Sequence, residues 1–286
     1  MEKGSEFNLK EFRRERCIGK GGFGIAYLCT GPDGKKCVIK EIYVGHLSDD
    51  EVVTSCKEAG ILSSLKHPNI IEYMNHGIID KMLYIVMEYA PGGDLSEYIL
   101  KLQPHPPEKK IIALLAQLVA GVAYIHEKGI VHRDICAKNV LIGRGEVLKL
   151  SDFGMSKRLE SISSGAVAGN PVNFAPELCW GGKATQASDM WALGCLLHHI
   201  ARGNPPFSAP SLAGVVRTIV SAGPVRLSGY SGLLGELQRS LLAKEPSSRP
   251  SAVQLMAHPL LAIPILEAGL PRPVQLSDFE FFGISV

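Results

Sequence analysis

Apolar and polar residues alternate along much of the first 90 positions, and beyond them apolar residues recur every three or four positions. Alternation is typical of half-buried β-strands, and the longer period is typical of amphipathic helices. A capping box at residues 48–51, followed by apolar residues at helical spacing, predicts one helix in the first part of the chain. Around that helix we expect five strands, at residues 16–19, 25–29, 37–42, 70–77 and 82–89.

The run Pro91-Gly92-Gly93 marks the change of pattern and is the expected hinge between two lobes. The sequence thus predicts an α+β fold: a small, mainly β lobe with one key helix (residues 1–90), a larger, mainly α lobe (91–264) and a tail (265–286). The helices of the large lobe are expected at residues 95–101, 108–128, 186–202, 211–222, 233–242 and 252–257.

Composition and charge narrow the classes of function. With 286 residues, 46% of them hydrophobic, the chain is expected to bury a sizeable core. Thirty basic residues nearly balance 28 acidic ones and no Lys/Arg block stands out, so a nucleic-acid partner is not expected. The longest apolar run, residues 111–125, is interrupted by Gln117 and is shorter than the ~20 residues of a membrane span. We expect it to be a buried helix, with no membrane span in the chain.

The cysteines and the two ends of the chain bear on its location. Seven cysteines without a C-x-x-C pair fit reduced thiols better than a disulfide framework or a zinc site. The first residues lack the charged-then-apolar pattern of a signal peptide, which favours a cytoplasmic protein.

In the tail, Phe279, Phe281 and Phe282 either dock on a groove, in this chain or in a partner, or belong to an ordinary packed or frayed terminus.

The candidate chemistry is concentrated between residues 131 and 154. Asp134 and Asn139 are followed by a short apolar stretch and then by Asp152, so an apolar hairpin could fold the three side chains into one cluster. Two carboxylates and an amide suit metal-assisted phosphoryl transfer, because Mg²⁺ prefers oxygen ligands and bridges phosphates. One carboxylate would orient a hydroxyl, and the other would hold the metal together with the Asn oxygen.

Two features of the small lobe fit the same chemistry. The glycine-rich run from residue 19 to 24 lies between two strands, where a backbone without Cβ atoms can approach phosphates. Rossmann and Walker loops require a helix after the glycines, whereas strand is expected here. Lys40 ends a β-type run and Glu58 follows eighteen residues later on the predicted helix. Each is an ordinary solvated charge in isolation, and paired they would position a lysine on phosphates.

Further motifs follow in order: Ala175-Pro176-Glu177, the run Asp-Met-Trp-Ala-Leu-Gly at 189–194, and Arg249-Pro250. Together with His132-Arg133-Asp134 and Asp152-Phe153-Gly154, this order and spacing resembles the protein kinases. Within that family, residues 38–42, 87–95, 176–179 and 189–195 are similar to the NIMA-related serine/threonine kinases. The resemblance extends over roughly residues 10–262.

The resemblance implies a bilobal kinase fold that uses ATP and Mg²⁺ and transfers phosphate to Ser or Thr of protein substrates. It also implies work at the cytoskeleton, centrosome or cilium, and an activating kinase or regulatory protein. Asp134 would orient the substrate hydroxyl, Asn139 and Asp152 would hold the metal, and the Lys40–Glu58 ion pair would position the α- and β-phosphates. The remaining nucleotide contacts would come from Ile18, Gly19, Lys20, Gly21, Gly22, Phe23, Gly24, Ala26, Val38, Met87, Glu88, Ala90, Asp94 and Leu141.

Three structural features are implied as well. A hydrophobic column of four residues would report the active state, and Glu177 would pair with a buried Arg249 behind the activation segment. Arg133 would need an anion, which a phosphoserine could supply. The column would consist of Leu62, Tyr73, His132 and Phe153, and the candidate phosphoserines are Ser156, Ser161, Ser163 and Ser164.

The chain also departs from the family pattern. Serine/threonine kinases usually carry a Lys and a Thr where Cys136 and Asn170 stand, so the γ-phosphate site is either weakened or rebuilt. Lys138 occupies the place where tyrosine kinases put an Arg when that Lys is absent; it either rebuilds the site or is a solvated charge. The alternative to an active kinase is a pseudokinase-like module that binds nucleotide or a partner. Family kinases commonly carry Val where Ala26 stands and Ala where Val38 stands, on the roof above the adenine ring. This exchange conserves total volume, so we expect ATP still to fit beneath a roof of changed shape.

Overall fold

The computed structural model describes residues 7–21, 24–45, 60–153, 156–158, 171–223 and 225–271. The small lobe is an antiparallel sheet with the strand order β1-β2-β3-β5-β4. Its strands are β1 Arg13–Gly21, β2 Gly24–Thr30, β3 Lys36–Tyr43, β4 Tyr73–Ile79 and β5 Met82–Glu88. All five expected strands are present. The first is longer than expected, and the fourth begins later because residue 70 instead bridges to Leu150 in the large lobe.

The two faces of this sheet differ in what covers them. On one face, buried Cys29, Cys37 and Ile39 pack with the aromatic rings of Phe7 and Phe12. On the other face lie Ala26, Val38 and Lys40: Ala26 is directly opposite Lys40, and Val38 is two residues away on the same strand. Because the first residues of the chain cover only the former face, the face with Lys40 is left to line the cleft between the lobes.

The large lobe is helical, as the period of its apolar residues predicts. Its helices are α1 Leu95–Leu102, α2 Glu108–Glu127, α3 Pro176–Cys179, α4 Gln186–Arg202, α5 Leu212–Ser221, α6 Gly232–Leu241, α7 Ala252–Met256 and α8 Ala262–Glu267. Polar caps begin several of them: Thr185 and Ser188 form a capping box at α4, and Ser251 and Gln254 form one at α7. Helix α4 ends at Gly203, whose φ of 77° favours glycine.

Helix α2 is the centre of the large lobe and packs against α4, α7 and α8. In the described part of the chain it is the one helix long and apolar enough to cross a membrane, but 67% of its apolar window is buried inside the protein. It is therefore a core helix of the large lobe, as the interrupted apolar run at residues 111–125 predicts.

The structure moves the expected boundary between the large lobe and the tail, and two other expectations fall on residues outside the described ones. The boundary between large lobe and tail, expected at 264/265, falls inside α8, where Ile265 is buried in the core. The helix predicted between β3 and β4 is described only at residues 60–63, so Glu58 lies outside the described residues. Phe279, Phe281 and Phe282 of the tail do as well.

Two buried histidines outside the cleft make stability depend on pH. Nδ1 of His67 accepts a hydrogen bond from the Asn69 amide at 3.0 Å, and Nδ1 of His198 lies 2.9 Å from Nε2 of Gln238. Burial lowers the pKa of each imidazole to about 4. An unfolded histidine takes up a proton near pH 6.5, so between pH 6.5 and 4 the unfolded state binds more protons and acidification destabilises the fold.

We expect the free energy of unfolding to fall between pH 7 and pH 5, by on the order of 2 kcal/mol for each of the two histidines. Urea titrations at both pH values measure it. His198→Gln should reduce the difference between the two pH values, whereas His105→Gln, a change at an exposed histidine, should leave it unaltered. An unchanged pH difference in His198→Gln would contradict the assignment.

Candidate active site

A hairpin in the large lobe brings the candidate catalytic residues together. Strands β6 Ile130–Val131, β7 Val140–Ile142 and β8 Leu148–Leu150 frame the loop, and β7 pairs with β8. At the open end of this hairpin, the Ser151 amide and hydroxyl both donate to the Asn139 carbonyl, at 2.8 and 2.9 Å. The apolar residues between Asn139 and Asp152 therefore act as expected and return the chain to the same edge of the cleft.

Asn139 fixes the position of Asp134. Its Nδ2 donates to Oδ2 of Asp134 at 2.7 Å and to the Asp134 carbonyl at 2.9 Å. Because both amide hydrogens are used, Oδ1 of Asn139 remains as an acceptor, and it takes part in no hydrogen bond within the described residues. The Asp134 carboxylate is thus oriented by a neighbour five residues later in the chain.

Lys40 connects the two lobes through Asp152. Its Nζ lies 2.8 Å from Oδ1 of Asp152, and both side chains are mostly buried. Asp152 has a φ of 58°, an uncommon value for a residue with a Cβ, which turns its carboxylate away from the line of β8. The ion pair places the expected phosphate-binding lysine beside the expected metal ligand.

Asp189, in the first turn of α4, holds the predicted catalytic loop, which contains Arg133 and Asp134. Its carboxylate is 1% exposed and accepts from the backbone amides of His132 at 2.8 Å and Arg133 at 2.9 Å, and Nε2 of His126 lies 2.8 Å away. Arg133 has a φ of 72°, so this anchor holds a strained backbone. The motif containing Asp189 was expected, but its anchoring role was not. The sequence signal for that role is an acidic residue within an otherwise apolar helix.

All four residues of the predicted hydrophobic column lie in the described part of the structure. Leu62 and Phe153 are buried in one cluster, and Tyr73 packs against it. The His132 ring lies 4.9 Å from the Phe153 ring, edge to face, and its Nε2 is 3.0 Å from the Ser151 carbonyl. Burial lowers the pKa of His132, because desolvation disfavours the charged imidazole.

The glycine-rich run continues both strands as an antiparallel hairpin. Gly21 is opposite Gly24, Gly19 is opposite Ala26, and Ile18 lies at a register shift. Gly24 has a φ of 114°, and a Cβ there would lie 2.1 Å from the Glu41 carbonyl oxygen, so another residue could not fit without moving β3. Strand rather than helix follows the run, which excludes the Rossmann and Walker alternatives. Gly22 and Phe23 lie outside the described residues.

The segment after β5 carries the groups expected to face adenine. Met87 lies opposite Val38 on the cleft face of the sheet, and Ala90 is the last residue before the glycine turn. Within the described residues, the Ala90 N–H has no hydrogen-bond partner, so it is available to a ligand. The Glu88 carboxylate is 2.6 Å from Nζ of Lys149, and the Glu88 N–H donates to the Glu72 carbonyl at 2.9 Å, so the carbonyl is the group of Glu88 left for adenine.

The turn between the lobes is closed by main-chain bonds. The Gly92 N–H donates to the Ile142 carbonyl at 2.8 Å, and the Ile142 N–H donates to the Gly93 carbonyl at 2.9 Å. Asp94 caps α1, with Oδ1 accepting from the Ser96 amide at 2.8 Å. This is the ordinary role of an acidic residue at a helix start, and Asp94 also forms a backbone bridge with Leu141.

Cys136 and Lys138, the residues around the expected γ-phosphate contact, differ in their surroundings. Cys136 is buried, and burial raises the pKa of its thiol to about 11, so the residue is neutral at physiological pH. Lys138 is exposed, on a single 3₁₀ turn that packs against α1. Asn170 lies outside the described residues.

Asn173 is a residue of the site that motif reasoning missed. Its Nδ2 donates to the Ile135 carbonyl at 3.1 Å and so ties residues 171–175 to the residue following Asp134. The sequence offers one signal, an amide among apolar neighbours at residues 171–175.

One expectation about phosphorylation is wrong. Ser156 is 1% exposed and its hydroxyl donates to the His132 carbonyl at 3.2 Å, so it is an interior hydroxyl and cannot supply the anion for Arg133. Ser161, Ser163 and Ser164 lie outside the described residues.

Arg249 and Glu177 form the predicted pair behind the activation segment. Nη1 and Nη2 of Arg249 reach the two carboxylate oxygens of Glu177 at 2.8 and 2.7 Å. The guanidinium is fully buried and also donates to the carbonyls of Ala187, Ala243 and Lys244. A bidentate pair with this many further bonds fixes α3 rigidly to the rest of the large lobe.

Comparison with known proteins agrees with this geometry. Residues 12–261 match the protein kinase domain. Over 263 residues the chain is 37% identical to serine/threonine-protein kinase Nek8 of Danio rerio, covering 90% of this chain and 38% of the relative. It is 33% identical over 267 residues to serine/threonine-protein kinase nekl-2 of Caenorhabditis elegans, covering 88% and 75%. Cytokinesis protein sepH of Aspergillus niger is 32% identical over 253 residues, covering 88% of this chain and 19% of the relative. The chain thus spans little more than a third of the first relative.

Proposed function

Because the chain belongs to the protein kinase family and resembles its NIMA-related serine/threonine members, we propose that it transfers the γ-phosphoryl group of Mg-ATP to Ser or Thr of protein substrates. One observation carries the proposal. Lys40 from the small lobe meets Asp152 at 2.8 Å beside an Asp134 that Asn139 orients at 2.7 Å. A pseudokinase-like module that only bound a partner would not need this arrangement of charged and amide side chains.

The residues present suit a magnesium ion. Asp152 uses its Oδ1 for Lys40, and its Oδ2 accepts no hydrogen bond within the described residues. Oδ1 of Asn139 likewise accepts no hydrogen bond there. These are hard oxygen donors, and Mg²⁺ characteristically takes one or two from the protein and the rest from phosphates and water. When bound, the ion would offset the negative charge of the phosphate oxygens.

The chain's own residues would do the remaining work. Asp134 would accept a hydrogen bond from the substrate hydroxyl and take up its proton, held in place by Asn139. Lys40 would orient the phosphates, and the backbone of Glu88 and Ala90 would bind the adenine edge. Positioning and charge stabilisation account for most of the catalysis in such a reaction.

Transfer from γ-labelled ATP to a mixed protein substrate tests the proposal. We expect label on Ser and Thr, and a rise in melting temperature when Mg-ATP is added. The neutral, buried Cys136 favours the second candidate, a pseudokinase-like module with weak or no transfer. A thermal shift with Mg-ATP and no transfer of label would support that module, whereas the absence of both would reject nucleotide binding altogether.

We propose that Lys138 replaces the missing lysine at position 136. Lys138→Ala should lower kcat/KM by about 10- to 100-fold, because hydrogen bonds to charged groups are worth roughly 1.5–3 kcal/mol. Initial rates with a peptide substrate measure this. Cys136→Lys in the Lys138→Ala background should restore part of the rate, and Lys101→Ala, a change at another exposed lysine, should have no effect. A normal rate for Lys138→Ala would reject the replacement and leave Lys138 a solvated charge.

We further propose a cytoplasmic site of action at the cytoskeleton, centrosome or cilium, under an activating kinase or regulatory protein. The resemblance to the NIMA-related group supports this, and one relative is named for cytokinesis. A fluorescent fusion of the chain, imaged with tubulin in dividing and ciliated cells, tests it. A uniform distribution that microtubule depolymerisation leaves unchanged would argue against it.

A further inference from the structure

An apolar groove on the large lobe lies outside the candidate active site. Trp180, directly after α3, is 75% exposed, and Leu212 at the start of α5 is 60% exposed. They line a groove of about 630 Å³ together with Val216, Val220 and Arg217. A contiguous exposed apolar surface of this kind usually marks an interaction site.

Helix α5 has more apolar surface than the fold uses. Val215 and Ile219 are buried against the core cluster that contains Trp191 and Phe207. Leu212, Val216 and Val220, spaced four residues apart, form a second apolar row on the groove side. The first row is buried, whereas the second is only partly covered in the described part of the chain, so the second row can still contact another chain segment.

We propose that the segment 272–286 of this same chain docks in this groove, through its acidic-aromatic run Asp278-Phe279-Glu280-Phe281-Phe282. The charge is complementary: Arg217 is the one ionisable residue that lines the groove among the described residues, and the aromatic run carries two carboxylates and no cation. The Phe side chains match the apolar lining in which Trp180 is the largest surface.

The segment can also extend across most of the width of the domain. Residue 271, just beyond α8, is the last described residue, and Phe282 is eleven residues further on. An extended chain covers roughly 3.3 Å per residue, so this stretch spans about 36 Å, most of the width of a domain this size. The groove adjoins residues 171–179, because α5 packs against both Pro171–Asn173 and α3. A docked segment would therefore cover the surface beside the segment that Asn173 ties to the catalytic loop.

Trp180 provides a direct measurement on the full chain. The protein has two tryptophans, and Trp191 is fully buried, so quenching of fluorescence by acrylamide reports on Trp180. We expect Trp180 to be shielded in the wild type and exposed when Phe279, Phe281 and Phe282 are all changed to Ser. Val274→Ser, in the same segment but outside the aromatic run, is the matched control and should leave the shielding intact.

A charge exchange tests the pairing. Arg217→Glu should weaken docking about two- to fivefold, the effect of one exposed ion pair, and raise the fraction of quenchable Trp180 accordingly. Combining it with Asp278→Arg and Glu280→Arg should restore the shielding. Because Arg217 is exposed, these variants are expected to fold, which far-ultraviolet circular dichroism checks.

Two outcomes would overturn the proposal. The first is a wild-type Trp180 that is quenched as readily as in the triple Phe variant. The second is shielding that rises with protein concentration together with a dimer in sedimentation velocity, because the occupant would then be a second copy and not the chain's own segment. Shielding that is independent of concentration and lost in the triple variant supports docking within one chain.

Discussion

Asp134→Asn is expected to lower the rate of phosphoryl transfer by about 10²- to 10⁴-fold, the usual contribution of a positioned proton acceptor. The substitution keeps the shape of the side chain, and its oxygen can still accept from Nδ2 of Asn139, as Oδ2 does now at 2.7 Å. What it removes is the negative charge and the ability to take up the hydroxyl proton. Initial rates with saturating Mg-ATP and a peptide substrate measure the effect.

Two controls make the result specific. Asp33→Asn applies the same chemical change to a carboxylate in an exposed turn and should leave the rate unaltered. The thermal shift produced by Mg-ATP should be the same in Asp134→Asn as in the wild type, because Asp134 is not a proposed nucleotide or metal ligand. If Asp134→Asn transfers phosphate at the normal rate, the proposed mechanism is wrong.

Arg249→Met should destabilise the fold by about 3–5 kcal/mol, the range measured when one partner of a buried ion pair is removed. Met fills most of the volume of the side chain but leaves the Glu177 carboxylate and the carbonyls of Ala187, Ala243 and Lys244 without their donor. Urea unfolding monitored by circular dichroism measures the change in the free energy of unfolding.

The double variant Arg249→Met/Glu177→Met separates the two causes. Removing the stranded carboxylate should recover part of the loss, whereas the three carbonyls that lose the Arg249 donor should keep the double variant less stable than the wild type. Arg239→Met, which affects an exposed ion pair within α6, should change stability by no more than about 1 kcal/mol. A loss of similar size in Arg239→Met and Arg249→Met would contradict the importance given to burial.

Sequence reasoning predicted the features that depend on local pattern. The hairpin that brings Asn139 to Asp152 could be predicted because its strands are short, apolar and close in sequence. The strand order of the small lobe was beyond such reasoning, since pairing between β3 and β5 depends on packing rather than on neighbouring residues. The later start of β4 has the same origin: residue 70 has strand propensity, but its partner is Leu150 in the other lobe.

Within the site, contacts between distant residues were the part that could not be predicted. Asp189 lies more than fifty residues from the amides that it holds, and Asn173 lies 38 residues from the Ile135 carbonyl. Neither spacing carries a periodic signal. The burial of Ser156 was missed for a related reason, because a serine in a polar stretch gives no indication that its hydroxyl bonds to the main chain of another segment.

The Lys40–Asp152 ion pair holds the two lobes together electrostatically across the cleft. Its two charges sit on opposite lobes, so any motion that opens the cleft must separate them. At 4 Å such a separation costs from about 1 kcal/mol in water to about 4 kcal/mol near a protein surface. Dissolved salt lowers that cost by screening, and both side chains retain some contact with solvent. Because both side chains are mostly buried, salt screens this pair only in part, and a change in ionic strength should alter the cost of parting the lobes by only a fraction of that amount.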